Sequence, residues 1–115
     1  MRLVFRLNKL IVRRSMYFIT CFSKIDKDNF GWLDTGAIRT FGFYGNFKYA
    51  DEALRQNACD MHEYLYQYGV IEKIEPGIHP IAEKRWFYKY NEEKDGFYPI
   101  EEPKEFEHYM NIALG

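Results

Sequence analysis

Residues 84–100, KRWFYKYNEEKDGFYPI, constrain the fold of this chain more than any other stretch. An Asp-Gly pair between two runs rich in Tyr, Phe and Trp signals a hairpin, because both residues tolerate the backbone of a tight antiparallel turn. Trp86, Tyr88 and Tyr90 alternate with Arg85, Phe87 and Lys89, so the first run reads as a strand with two distinct faces. Pro99 in the returning run FYPI has no N–H to offer a further ladder, which places that strand at a sheet edge.

A hairpin alone is not stable in water and needs further strands or a helix against it. Residues 17–25 are β-rich and apolar on both faces, as in an interior strand. Residues 37–44, AIRTFGFY, give a second strand in which Gly42 marks a bulge or a close backbone approach. The intervening DKDNFGW reads as a turn-rich loop hinged at Gly31. Asn46 suits an N-cap, and Asp51 and Glu52 suit the positive end of a helix over residues 47–57. Ala50, Ala53, Leu54 and Ala58 give that helix a narrow face, and Asn57 suits the left-handed residue that ends it.

Over residues 63–72 the period falls back to two, and Tyr64, Tyr66 and Tyr68 form an alternating row on a strand. After Pro103, the spacing of Phe106, Tyr109, Met110 and Ala113 fits an amphipathic C-terminal helix, with a short strand at NIALG as the other reading. The order β-β-α-β-β-β specifies an α+β fold: an antiparallel sheet of four or five strands with a central helix and a C-terminal helix. At 115 residues there is room for one domain, residues 16–115, preceded by a basic extension, residues 1–15.

That extension, MRLVFRLNKLIVRRS, has five basic residues and no acidic one. As a helix it gathers Leu3, Val4, Leu7, Leu10 and Ile11 on one face with Arg6, Lys9 and Arg13 opposite, a membrane-surface pattern. A packed or partner-facing element is a second reading. A third is a start upstream of the natural one, with Met16 opening the first strand and Arg13-Arg14 encoded by a purine-rich stretch. No run of about 18 apolar residues is present, so no membrane span is expected.

Charge divides the chain. Residues 1–48 carry nine Lys/Arg against three Asp/Glu, and residues 49–115 carry seven against fourteen. Residues 16–115 are therefore acidic, which argues against a long nucleic acid as partner, since polymer affinity comes largely from cations on phosphates. The two cysteines, Cys21 and Cys59, lack metal-type spacing and read as reduced thiols in a cytoplasmic protein.

RTFGFY, DMHEYLYQYGVIE, EPGIHP, RWFYKYNEEKDGF and the terminal IEEP and NIALG together resemble a family of small bacterial and phage proteins. The resemblance spans roughly residues 16–115 and leaves the basic leader outside. It implies a phage or mobile-element context and, with no established activity in that family, assigns no site residue.

The aromatic share, 19%, is high enough that some rings must lie near the surface of so small a domain. If the strands at 63–72 and 84–91 are neighbours, Tyr64, Tyr66, Tyr68, Trp86, Tyr88 and Tyr90 tile one sheet face. An open face of this kind stacks bases at about 1–3 kcal/mol per base. Alternatively the rings are buried under the C-terminal helix, with hydroxyls reaching solvent. Arg39, Arg85 or Lys89 could meet the phosphate of a small nucleotide.

Tyr and Trp also anchor protein interfaces, and Glu72, Glu75, Glu92, Glu93, Glu101, Glu102, Glu105 and Glu107 form either a solvated face or a mimic of a phosphate backbone. Asp60, His62 and Glu63 have metal- or acid/base-type chemistry but lie where capping uses the same residues. No Gly-rich phosphate loop, CxxC pair or nucleophile elbow occurs, and no cofactor is expected.

The expectation is thus a non-enzymatic binding protein, a counter-defence factor sequestering a nucleotide-like molecule through Tyr64, Tyr66, Trp86, Tyr88, Tyr90, Arg39 and Arg85. The alternative is an inhibitor of a host protein, acting through the acidic or aromatic surface. An exposed edge strand also permits a homodimer.

Overall fold

The structure, a computed structural model, describes residues 14–114; the readings of the basic leader fall mainly on residues 1–13, outside them. Five strands form one antiparallel sheet: β1 (Met16–Phe22), β4 (Ile38–Tyr44), β5 (Tyr68–Ile74), β6 (Ala82–Asn91) and β7 (Gly96–Ile100). Their order is β4-β1-β5-β6-β7, so β1 is interior and Pro99 lies on an edge strand, as the sequence pattern requires. A two-stranded hairpin, β2 (Asp26–Lys27) and β3 (Leu33–Asp34), occupies the stretch read as a plain loop. The fold is α+β.

The one α-helix among the described residues, α1 (Phe47–Arg55), follows β4. The Asn46 side chain accepts a hydrogen bond from the Tyr49 N–H at 3.0 Å and caps it. Its buried side chains, Ala50, Ala53 and Leu54, are small enough to let the helix lie close on the sheet. Two glycines make this approach possible. A β-carbon at Gly69 would stand 3.0 Å from Leu54, and one at Gly96 would collide with the Arg55 carbonyl oxygen.

Each sheet face has its own core. On the helix side, Ile19, Cys21, Ile71, Tyr88 and Phe97 meet Ala50, Ala53, Leu54, Met61 and Tyr66. On the other side, Phe22, Val70 and Phe87 meet Phe106 and Ile112 from the C-terminal segment.

That segment is not the expected helix. Its regular structure among the described residues is a single 3-10 turn, Lys104–Phe106. Beyond local turn bonds from the Phe106, Glu107 and Tyr109 N–H groups, its backbone finds side-chain partners on the sheet: the Phe106 and Tyr109 carbonyls accept from Arg85, and the Ile112 and Ala113 N–H groups donate to Glu72.

Candidate interaction surface

The two aromatic rows do not make one open platform. The period-two pattern over residues 63–72 is carried by a strand only from Tyr68 onward. Residues 57–66 form consecutive turns, with Asn57, Cys59, Asp60, Glu63 and Tyr64 all at positive φ. Tyr64 is consequently 93% exposed, Tyr66 is 7% exposed with its ring edge-on to Phe41, and Tyr68 stacks on Phe22 in the opposite core.

The β6 row lies beneath α1 and the turn segment. Trp86 packs on Phe47 with ring centroids 4.4 Å apart. Tyr88 is 1% exposed, and its hydroxyl donates to Asp51 at 2.6 Å. Tyr90 lies flat on His62, centroids 3.5 Å apart, and donates to Asp95 at 2.5 Å. That bond, then partial desolvation, pushes the Tyr90 phenol up to about 12. The apolar stripe of α1 needs a sheet face to cover, and the most aromatic face is the one it takes.

The two arginines are similarly engaged. Arg39 on β4 stands 3.5 Å from Glu63, with its guanidinium 4.8 Å from the centre of the Phe41 ring. Arg85 is bonded to Glu72 at 2.8 Å with both side chains buried. Glu72, read from sequence as part of an acidic solvated half, is fully buried. Its position gave one signal: in YGVIEKI it shares a strand face with Val70 and Ile74, an unusual place for a carboxylate without a partner. The other named glutamates, among them Glu92, Glu93, Glu101, Glu102, Glu105 and Glu107, are exposed.

The cluster of Asp60, His62 and Glu63 is split. The His62 ring meets Gln67 at 3.2 Å, whereas Glu63 faces Arg39. Among the described residues no three His, Cys, Asp or Glu side chains are placed to share a metal ion. Arg85, Trp86 and Tyr88 do come together with Asp51 and Arg55 along a cleft of about 210 Å³.

The accessible aromatics lie elsewhere. At the β2–β3 tip Phe30 is 86% and Trp32 72% exposed. The tip is built, not loose. Asp28 Oδ1 accepts from the N–H groups of Phe30 at 2.8 Å and Trp32 at 3.0 Å, and the Asp28 N–H donates to the Trp32 carbonyl at 2.8 Å. Two large rings in a turn-rich stretch, with no periodic apolar partners around them, were the available sequence signal for this site.

Beside the hairpin, a cleft of about 600 Å³ runs between β3, β4 and the C-terminal segment, lined by Leu33, Ile38, Arg39, Phe106, Tyr109 and Ile112. Among the described residues β4 is the outermost strand on this side, and Ile38, Phe43 and Tyr44 along it are exposed. No described helix is long and apolar enough to cross a membrane.

No protein-family model, no curated protein and no solved structure matches the chain.

Proposed function

We propose that this is a small non-enzymatic binding protein that holds a protein partner through aromatic side chains, the tip of the β2–β3 hairpin being its anchor. The supporting observation is the pairing of exposure with order at Phe30 and Trp32, on a tip pinned by Asp28. Burying such a side chain is worth about 1.5–3 kcal/mol, and a backbone held in place before the encounter loses little entropy on binding. Aromatic residues of this kind dominate protein interfaces. The adjoining 600 Å³ cleft extends the surface to a size that accepts partner side chains. In a phage or mobile-element setting such a protein acts by occupying a host component, a counter-defence role.

The nucleotide reading has one supporting feature, the cleft that gathers Arg85, Trp86 and Tyr88. Its volume of about 210 Å³ is below the roughly 300 Å³ at which pockets for ligands of nucleotide size begin. Most of the rings proposed to stack on a base are already covered by protein. The protein-partner reading is therefore the stronger.

The test compares the tagged wild type with a Phe30→Ala/Trp32→Ala variant of equal thermal stability. A host protein retained by the wild type and lost from the variant supports the anchor. Equal retention by both removes it. If the loss instead follows raised salt and not the substitutions, the acidic surface carries the contact. A melting shift of the wild type with one nucleotide from a panel revives the small-molecule reading.

A further inference from the structure

We propose that a pocket of about 280 Å³ between β4 and the turn after α1 is a binding site for one small uncharged aromatic group. Its wall includes Ile19, Phe41, Gly42, Ala53, Cys59 and Met61, and none of the described residues lining it carries a charge. It lies on the helix side of β4, opposite the 600 Å³ cleft, and stands independently of the hairpin reading.

Gly42 is the reason to regard the pocket as built. It pairs with Ile19 inside β4, next to the bulge in which Phe41 has no partner. Glycine in a strand interior weakens the strand and is kept where the backbone or a neighbour demands it. Neither demand applies here. Gly42 does not have a positive φ, and a β-carbon there would meet no atom of the described residues within 4 Å. Gly69 and Gly96, by contrast, each face a neighbour that a β-carbon would crowd. The space left by Gly42 opens on the pocket.

Size and chemistry specify the guest. An apolar cavity of about 150 Å³ holds benzene, and drug-sized ligands begin at about 300 Å³. A volume of about 280 Å³ therefore suits one ring or one fused pair of rings. The Phe41 ring and the Met61 thioether both pack well against an aromatic guest. The described lining residues offer no counter-charge to an ionised one.

Indole is the probe. Cys59 is exposed and stands in the wall, whereas Cys21 is buried, so a disulfide reagent added to native protein reports Cys59. Indole at about twice its Kd slows that reaction about threefold, and the protected fraction saturates. Indole-3-acetate, carrying a charge, protects more weakly. Protection by N-acetyltryptophanamide as well would mean that the pocket takes a ring carried on a chain; protection by indole alone, a free ring. Gly42→Leu, which fills the space, abolishes protection in a folded variant. As an assay that needs no substitution, indole shifts the backbone amide signals of Ile19, Phe41 and Met61 in the wild type. A thiol rate indifferent to indole, undiminished protection in folded Gly42→Leu, or shifts centred elsewhere overturns the assignment.

Discussion

Glu72 and Arg85 face each other across β5 and β6, carboxylate to guanidinium at 2.8 Å, both side chains withdrawn from water. The pair does more than neutralise itself. The Glu72 carboxylate takes the N–H groups of Ile112 at 2.8 Å and Ala113 at 2.8 Å, while Arg85 donates to the Phe106 and Tyr109 carbonyls. One cross-strand pair thus holds the C-terminal segment at four backbone groups over the second sheet face, beside bonds from Thr40 to the Ala113 carbonyl and from Ala82 N–H to the Met110 carbonyl, with Phe106 and Ile112 filling the space beneath.

Glu72→Ala should therefore cost about 3–5 kcal/mol, because it leaves a buried guanidinium without its charge partner. A paired Glu72→Met/Arg85→Met replacement should also destabilise, unlike an isolated buried ion pair exchanged for apolar residues. The Ile112 and Ala113 N–H groups and the Tyr109 carbonyl lose their partner with it, at about 1–3 kcal/mol for each one kept from water, while the Phe106 carbonyl keeps the Tyr109 N–H. Urea unfolding measures both. Proteolysis of native protein after residue 103 should accelerate in each variant, and unchanged cleavage would disprove the clamp.

Tyr88 and Asp51 join sheet to helix. Tyr88→Phe keeps the ring and removes a hydrogen bond of 2.6 Å to a carboxylate that Arg55 also holds. The expected loss is about 1.5–3 kcal/mol in the urea midpoint analysis, the range for a hydrogen bond to a charged group. Tyr64→Phe, at a ring in solvent, should stay within about 0.5 kcal/mol.

The contrast between Tyr88 and Tyr64 also shows what the sequence could carry. Local chemistry was legible: the Asp95-Gly96 turn, the Asn46 cap, the left-handed Asn57 and the edge position of Pro99 each rest on a property of one or two residues. The side of the sheet that α1 covers depends on distant parts of the chain, and alternation reads the same whether a face is open or closed. Tyr64 and Tyr66 kept the period of a strand inside a set of turns, so period alone placed the strand start too early. The C-terminal helix failed for a related reason. Its apolar spacing is real, but Glu72 and Arg85 offer its backbone better partners than a helical ladder would.

Tyr90 should be visible in a pH titration. The hydrogen bond to the Asp95 carboxylate raises its phenol from 10 to about 12. A folded-state pKa above the unfolded one contributes stability in full below pH 10 and loses it as pH climbs towards 12. Asp95→Asn should return the phenol towards its ordinary value. Tyrosinate absorbance measures this, and an identical curve in wild type and variant would show that the bond is absent in solution.

Cys21 should be silent towards thiol reagents until the protein unfolds. Burial, and then the charge of Glu63, pushes its thiol up to about 12, so the reactive thiolate is scarce as well as inaccessible. Native protein should release one equivalent of chromophore, from Cys59, and denatured protein two. Two fast equivalents from native protein would place Cys21 outside the core.

The hairpin tip offers the sharpest separation of stability from binding. Phe30 and Trp32 touch little of the core, so replacing either by Ala should change folding stability by no more than about 0.5 kcal/mol. Asp28→Ala acts differently, because it leaves both rings in place and removes the acceptor of their two backbone N–H groups. The loosened backbone of the tip must be ordered on binding, so affinity falls without loss of any contact surface. Relaxation measurements on the free protein test the premise before any partner is in hand. Backbone order parameters at Phe30 and Trp32 should lie near the rigid value of about 0.85 and drop below about 0.6 in Asp28→Ala. If the wild-type tip is already that mobile, the rings are not preorganised, and the argument for an anchor at this hairpin loses its physical basis.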